Sequence, residues 1–301
     1  MQPDFDHPAA AKGSPDTCPW DAAGAAALGE VTAVVKTFER HRSLDRLIRS
    51  LRRFYPAMPI IVADDSFRPR PRRDVETIRL PADSGVGYGR TALLRHVRTR
   101  YFLTLDDDFQ FTEATRLERL LGLLVTGRAD LAAGDCVRVK RKWFRVRQRP
   151  QPYFGTIELG DGRLRLTPGM RETHPGYGIC DIVPQFFIAE TQSVLALGGW
   201  DPRLKTNDHQ EFFVKLQRHR FRVGYCPTVS LLHWHTMPKR YAAFRFRDHR
   251  HVAARIMGVT HWIDLNGREY HFPKSEPLSA TDRPGFRRES GAAARDPRPA
   301  A

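Results

Sequence analysis

The stretch Tyr101-Phe102-Leu103-Thr104-Leu105-Asp106-Asp107-Asp108 places three consecutive aspartates directly after a mainly apolar run. A short apolar run of this kind predicts a buried strand. Burying a charge without a partner costs several kcal/mol, so the aspartates indicate either a bound cation or a well-solvated acidic turn. In an extended segment alternate side chains share a side, which predicts that Asp106 and Asp108 point the same way.

Other apolar runs predict further strands at 31–35, 59–63 and 75–80, with helices between them. The helical signals are Ser43 as an N-cap before Leu44, Leu47, Ile48, Leu51 and Phe54; a glycine-rich turn at 85–89; and Thr112 as an N-cap before Leu117, Leu120, Leu121 and Leu124. Strands that alternate with helices predict an α/β fold with a mainly parallel, Rossmann-like sheet flanked by helices. Ligands bind beyond the carboxyl ends of such strands, where both acidic clusters fall.

Composition predicts one folded domain between two unstructured ends. Residues 1–29 are rich in Ala, Pro, Gly and Asp and are expected to form a disordered leader, and residues 273–301 a disordered tail. The domain at 30–272 divides into a nucleotide-binding half at 30–135 and an acceptor half at 136–272.

The chain is strongly basic, with a net charge of +15 and a pI near 10.2, which favours anionic partners. Residues 138–149 carry seven Lys or Arg, and 239–255 form a second basic stretch. These segments predict either a solvated surface or contact with an anionic membrane or an acidic acceptor. With no apolar run long enough to span a membrane, no secretory signal and scattered cysteines, we expect a cytoplasmic protein, peripheral to the inner face of the membrane.

The aspartates after the fourth strand are candidate metal ligands. Carboxylates from Asp106 and Asp108, with water and phosphate oxygens, complete an octahedral shell for Mn²⁺ or Mg²⁺, and that metal neutralises a departing nucleoside diphosphate. Asp64 and Asp65 close the second predicted strand. They are expected either to contact the uracil or ribose of a nucleotide donor or simply to form a turn. Arg90 follows glycines that allow a close approach to phosphate, although the spacing fails the dinucleotide fingerprint.

The second half supplies candidates for the base and for a third metal ligand. Asp208, His209 and Glu211 open a predicted helix, where acids also occur for the helix dipole alone, and each is able to deprotonate an acceptor hydroxyl. His233 and His235 lie near a strand end, and one of them is predicted to bind the metal. Trp200 predicts either sugar stacking or core packing.

Several stretches together resemble the family 2-like GT-A glycosyltransferases, most closely the ganglioside-type β-1,4-N-acetylgalactosaminyltransferases. They are VTAVVKTFERHRSLDRLIRSLRRFYP, IIVADDS, GYGRTALL, YFLTLDDDFQFTEATRLERLL, DIVPQFFIAET, GWDPRLKTNDHQEFF and the region of His233. The resemblance implies a GT-A fold, an inverting mechanism, a UDP-sugar donor such as UDP-GalNAc, and Mn²⁺. It assigns Asp106 and Asp108 to the DxD motif, Asp65 to the nucleoside, Arg90 to the donor and His233 to the metal.

We add Thr37, Asp64 and Asp107 to the expected donor-binding set. The chain departs from the resemblance at Asp208-His209, where many relatives carry Glu-Asp, and at Thr91, where Asn is usual. The rivals are a nucleotidyltransferase, a basic nucleic-acid-binding protein and an inactive binding module. The sequence 36–40 is not the glycine-rich loop of the first rival, and strand-end aspartates repel nucleic acid, so no nucleic-acid partner is expected.

Overall fold

The computed structural model describes residues 17–142, 145–245 and 247–274, without the side chains of residues 141, 142, 145 and 245. The helices are α1 (Asp21–Ala26), α2 (His41–Phe54), α3 (Val86–His96), α4 (Leu117–Val125), α5 (Thr191–Ala196), α6 (Asp208–Arg218), α7 (Lys239–Arg245) and α8 (Arg250–Met257). The strands are β1 (Val31–Thr37), β2 (Ile60–Asp64), β3 (Glu76–Arg79), β4 (Tyr101–Asp106), β5 (Phe109–Gln110), β6 (Leu131–Lys142), β7 (Arg145–Pro150), β8 (Gly155–Gly160), β9 (Arg163–Pro168), β10 (Glu172–His174), β11 (Tyr177–Cys180), β12 (Phe187–Glu190), β13 (Val223–Trp234), β14 (His261–Ile263) and β15 (Glu269–His271).

A large central sheet organises the chain, in the strand order β10-β11-β13-β6-β12-β4-β1-β2-β3, with β7 paired to β6 and β5 to β13. The strands β4, β1, β2 and β3 run parallel, as their alternation with helices predicts, and the sheet becomes mixed where β12 runs antiparallel to β4 and β6. The register sets Lys36 beside Asp106 and Thr37 beside Asp64. The predicted α/β class is confirmed, and the carboxyl ends of β1, β2 and β4 meet at one edge.

Both faces of the sheet are buried. Val31, Ala33 and Val35 of β1 pack into the core that contains the apolar face of α2, while Val34 belongs to the core on the opposite face. Such two-sided burial explains why β1 is a continuous apolar run rather than an alternating one. The sheet is therefore a rigid platform for the side chains at its edge.

A second sheet, β15-β14-β9-β8, joins the larger one through its apolar side. Ile157, Leu164 and Trp262 belong to the same core cluster as Val34 and are nearly inaccessible to water. The two sheets therefore share one core, which confirms a single folded domain.

The predicted leader at 1–29 is wrong where the structure describes it. Residues 21–26 form α1, and buried Trp20 donates its indole N–H to the carbonyl of Arg119 at 3.1 Å. Asp21 pairs with Arg119 at 3.0 Å, and a Cβ on Gly24 would lie 1.8 Å from a carbonyl oxygen of α4. The small residues that suggested disorder instead allow a close helix contact. Residues 1–16 and the tail beyond 274 lie outside the described residues.

Three predicted caps and turns also differ. The helix α2 begins at His41, and the hydroxyl of Ser43 lies 2.9 Å from that of Thr236 instead of capping. The helix α4 begins at Leu117, five residues after Thr112. The turn expected at 85–89 is already the start of α3, where a Cβ on Gly87 would lie 2.1 Å from the carbonyl oxygen of Asp201. Gly87 therefore lets α3 pack closely against the loop that contains Asp201.

Candidate active site

A cavity of about 330 Å³ lies over the ends of β1 and β4 and the first turn of α6. This is the size range of small-molecule pockets. Its titratable lining residues are Lys36, Arg40, Arg90, Asp106, Asp107, Cys136, Tyr153, Asp208, His209, His233 and Tyr241. The structure therefore gathers strand-end acids, basic residues and both candidate halves of the chain around one space.

The three consecutive aspartates do not share one environment. The strand β4 ends at Asp106, so the expected alternation stops there, and only the Asp106 side chain is substantially exposed, at 36 %. Asp107 and Asp108 are buried, and the Arg40 guanidinium contacts both carboxylates, reaching Asp108 Oδ2 at 2.6 Å. The extended strand on which the predicted alternation of Asp106 and Asp108 depended therefore ends at Asp106, and a turn follows.

Burial and charge drive the pKa values of Asp107 and Asp108 apart. Burial, together with the neighbouring Asp108 carboxylate, raises the pKa of Asp107 despite Arg40 and a 2.6 Å hydrogen bond from the Thr37 hydroxyl. Asp108 is also buried, but Arg40 and His233 lower its pKa. His233 Nε2 lies 3.4 Å from Asp108 Oδ2, and this contact raises the imidazole pKa although burial opposes it.

The predicted ligand trio Asp106, Asp108 and His233 has suitable donors for Mn²⁺, two carboxylates and an imidazole. Asp106 and His233 line the cavity, and Asp108 contacts His233, so the donor set fits a divalent ion at this end of the cavity. Their donor atoms are not already gathered, because within the described ranges only a different group of His and Glu side chains has three donors within 4.8 Å of one another. The Asp108 carboxylate instead forms an ion pair with the Arg40 guanidinium.

Arg90 links three elements across the cavity. It projects from α3, and its guanidinium donates to Asp106 Oδ1 at 2.7 Å and to Asp208 Oδ2 at 2.5 Å. A planar guanidinium suits two carboxylates at once. The side chain predicted to contact the donor is therefore positioned by β4 and α6, at the cavity wall.

Asp64 and Asp65 lie at the end of β2, and neither lines the cavity. Asp65 accepts hydrogen bonds from Lys36 Nζ at 2.6 Å and from the Gly85 backbone N–H at 2.9 Å. Asp64 Oδ1 accepts the Ser66 N–H at 2.9 Å, while its buried Oδ2 has no partner among the described residues. The geometry gives Asp65 an anchoring role for the start of α3.

The candidate bases separate on α6. Asp208 and His209 line the cavity, but Glu211 pairs with Lys215 at 3.1 Å and lines a different pocket beside Asp201. Residues 209 and 211 are two positions apart, or roughly 200° around a helix, so they cannot face the same side. The structure thus removes Glu211 from the candidate site.

His209 is a half-buried side chain at the start of α6. Its ring packs against Tyr153 and Phe213, with ring centres 4.9 and 5.0 Å away. Burial and the nearby Arg90 charge lower its pKa to about 3. Its Nε2 has no hydrogen-bond partner within the part of the chain that the structure describes.

The structure decides between the two alternatives for Trp200 and adds two cavity residues that the sequence analysis did not name. Trp200 is fully buried and stacks on Phe212 at 4.2 Å, so it packs in the core and cannot stack on a sugar. Arg40 and Tyr153, which line the cavity, were missed. Arg40 lies just after the first predicted strand, in the sequence 36–40. That position was the available signal, because the carboxyl end of this strand lies beside that of β4.

The central part of the chain, residues 32–189, matches the family model described as glycosyl transferase family 2. The chain belongs to glycosyl transferase family 2. It is 38 % identical to "Beta-1,4 N-acetylgalactosaminyltransferase 1" of Rattus norvegicus over 208 residues, which cover 67 % of this chain and 38 % of that protein. It is 33 % identical to "Beta-1,4 N-acetylgalactosaminyltransferase 2" of Mus musculus, over 67 % of this chain and 39 % of that protein.

The chain therefore spans well under half the length of these two relatives. A solved structure, "Crystal structure of GalNAc-T7 with UDP, GalNAc and Mn2+", superposes with a TM-score of 0.55 at 15 % identity, covering 69 % of this chain and 44 % of that one. The expected GT-A fold is confirmed. Among the helices that the structure describes, none is both long and apolar enough to cross a membrane.

Proposed function

We propose that the protein transfers a GalNAc-, GlcNAc- or Gal-like sugar from a UDP-sugar to a glycan or glycolipid, with inversion at the anomeric carbon. The observation that carries this proposal is the single cavity that brings Asp106, Arg90, Asp208 and His233 together over the carboxyl ends of parallel strands. Family membership supports a transferase over a nucleotidyltransferase. The named activity of the relatives supports the donor, and so does the solved neighbour GalNAc-T7, which is a complex with UDP, GalNAc and Mn²⁺.

Asp106, Asp108 and His233 would hold a divalent ion, Mn²⁺ or Mg²⁺. When bound, this ion supplies Lewis-acid neutralisation of the diphosphate leaving group. Lys36 and Arg40 line the same cavity and add positive charge for the phosphates. Thr37 positions Asp107 through its hydroxyl. Asp65 does not line the cavity, and we propose that it acts on the donor site by positioning Lys36 and the start of α3.

Asp208 is the proposed base. In the transfer, the acceptor oxygen bonds to the anomeric carbon as the bond to the diphosphate oxygen breaks, and the acceptor proton moves to the base. We choose Asp208 over His209 because the lowered pKa of His209 makes its imidazole a weak base and its Nε2 is buried, whereas Asp208 is a carboxylate that lines the cavity. Arg90 fixes Asp208 through Oδ2.

The test is UDP release from a panel of UDP-sugars, with Mn²⁺ and with EDTA. We expect turnover with at least one UDP-sugar, abolished by EDTA and by Asp208→Asn, with unchanged thermal stability in the presence of the metal. Turnover that survives EDTA would reject the metal assignment. Undiminished turnover in Asp208→Asn would reject the base, and GDP- or CDP-sugar preference would reject the donor.

We further propose that the ribbon formed by β6 and β7 contacts an anionic membrane surface. The register sets Arg138 opposite Arg149 and Lys140 opposite Arg147, so all four side chains share one face. Like charges opposite one another are destabilising, and no ion pair to these four residues occurs within the described residues. By contrast, basic residues of the second segment pair internally, as Arg247 does with Asp83 at 2.6 Å. The unpaired ribbon charge favours an external anionic partner.

A further inference from the structure

The hairpin of β14 and β15 holds two histidines and a glutamate on one face. His261 lies directly opposite His271 in the antiparallel register, and Glu269 lies two residues before His271, on the same side. The two imidazole rings are stacked, with centres 4.5 Å apart and an interplanar angle of 9°. None of the three residues lines the candidate catalytic cavity.

The donor atoms of these three side chains surround one point. Glu269 Oε2 lies 3.1 Å from His261 Nε2 and 4.0 Å from His271 Nε2. All three donors fall within 4.8 Å of one another, which is true of no other set of three or more His, Cys, Asp or Glu residues in the described chain. Two nitrogens bound to one tetrahedral ion at about 2.0–2.1 Å lie roughly 3.3 Å apart, so only small movements would gather these donors.

We propose that His261, Glu269 and His271 form a second metal site, for a divalent ion of the zinc class. Two imidazoles and one carboxylate suit Zn²⁺, Co²⁺ or Ni²⁺, whereas Mg²⁺ and Ca²⁺ prefer oxygen donors alone. His261 is mostly shielded, with its side chain 14 % exposed, and His271 is 72 % exposed. The open side leaves room for water as the fourth ligand.

Proton placement identifies a residue that opposes binding. Arg163 Nε donates to His261 Nδ1 at 3.2 Å, so Nε2 carries the imidazole proton and shares it with Glu269. An ion at Nε2 requires that proton to move to Nδ1, where it meets the Arg163 N–H. Arg163 must therefore turn away from His261 when the metal binds, and its removal should tighten binding.

A metal ion bound to these three residues would stabilise the β14–β15 end of the small sheet. The strand β14 pairs with β9 as well as with β15. Trp262, on the opposite face of β14 from His261, is buried in the core. A ligand that binds only the folded state stabilises it in proportion to the logarithm of its concentration over its Kd. Zn²⁺ should therefore raise the melting temperature through this hairpin.

The experiment is titration of Asp106→Asn protein with Zn²⁺ by calorimetry and with Co²⁺ by visible absorption, a background that weakens any ion at the candidate catalytic cavity. We expect one equivalent bound, affinity lowered roughly tenfold or more by His271→Ala or Glu269→Gln, and raised affinity in Arg163→Gln. The matched control is His174→Ala, which removes an exposed histidine that pairs with Glu172 at 3.3 Å. Absence of binding in Asp106→Asn, or equal affinity in His271→Ala and His174→Ala, would overturn the proposal.

Discussion

Replacing Arg40 with Met should expose how the protein tolerates adjacent buried aspartates. Arg40 is the side chain that contacts both Asp107 and Asp108, and its own side chain is only 10 % exposed. Removing one partner of a buried ion pair costs about 3–5 kcal/mol, because the remaining charge is left uncompensated. The two contacts share one guanidinium, so their costs do not add, and we expect Arg40→Met to lower the free energy of unfolding by about 3–5 kcal/mol at pH 7.

Urea unfolding, followed by circular dichroism, measures this loss. The matched control is Arg100→Met, whose pair with Glu190 is exposed on both sides and should contribute little to stability. Asp108→Asn in the Arg40→Met background should recover part of the loss, and so should excess Mn²⁺. If Arg40→Met cost no more than Arg100→Met, the charge balance assigned to Arg40 would be wrong.

The same variant should show a characteristic pH response. The pKa of Asp107 is raised in the folded state above its unfolded value, so the folded protein binds a proton more readily between the two values. Unfolding free energy therefore rises as pH falls through that window. The rise should be larger in Arg40→Met than in the wild type, because the guanidinium no longer stabilises the carboxylate.

Three further changes test other parts of the site. Asp106→Asn should reduce metal-dependent turnover by at least about 100-fold, since a metal ligand supplies several kcal/mol, while thermal unfolding changes little. The pKa of His209 is lowered to about 3, so it stays neutral from about pH 5 to 8, and kcat/KM profiles of wild type and His209→Gln should share the same acid limb; an acid limb lost in the variant alone would contradict its neutral role. The double variant Arg147→Glu/Arg149→Glu should weaken binding to phosphatidylserine vesicles by about tenfold or more at low salt, because each charge contributes roughly 1 kcal/mol. The control Arg98→Glu, at another exposed arginine, should not weaken binding. Equal vesicle binding by the wild type and both variants would remove the membrane proposal.

The sheet edge was predictable because burial and periodicity act locally. Apolar runs gave β1, β2, β3 and β4, and their alternation with helices gave the parallel half of the sheet. The antiparallel insertion of β12 between β4 and β6 was not predicted, because pairing over such long separations leaves no local pattern. The same reason hid α1, whose Ala- and Gly-rich residues form a helix only against α4.

In the site, the sequence identified acids but not their counter-charges. The prediction of a cation near Asp106–Asp108 followed from desolvation, and the protein supplies two cations of its own, Arg40 and Arg90. Both come from other segments, so their positions depend on tertiary packing. Burial of the aspartates requires positive charge nearby, and either a metal ion or a guanidinium meets that requirement.

The three base candidates could not be separated from the sequence alone. Asp208, His209 and Glu211 were grouped because they lie close together in sequence, yet on a helix neighbouring positions point in different directions. Buried Phe212 and Phe213 fix which side of α6 meets the core. With that side fixed, Asp208 and His209 reach the cavity, while Glu211 turns toward Lys215. The ion pair with Lys215 and the position of Glu211 in a different pocket therefore remove it from the site. Asp208 and His209 both line the cavity, and the lowered pKa of His209 makes its imidazole the weaker candidate base.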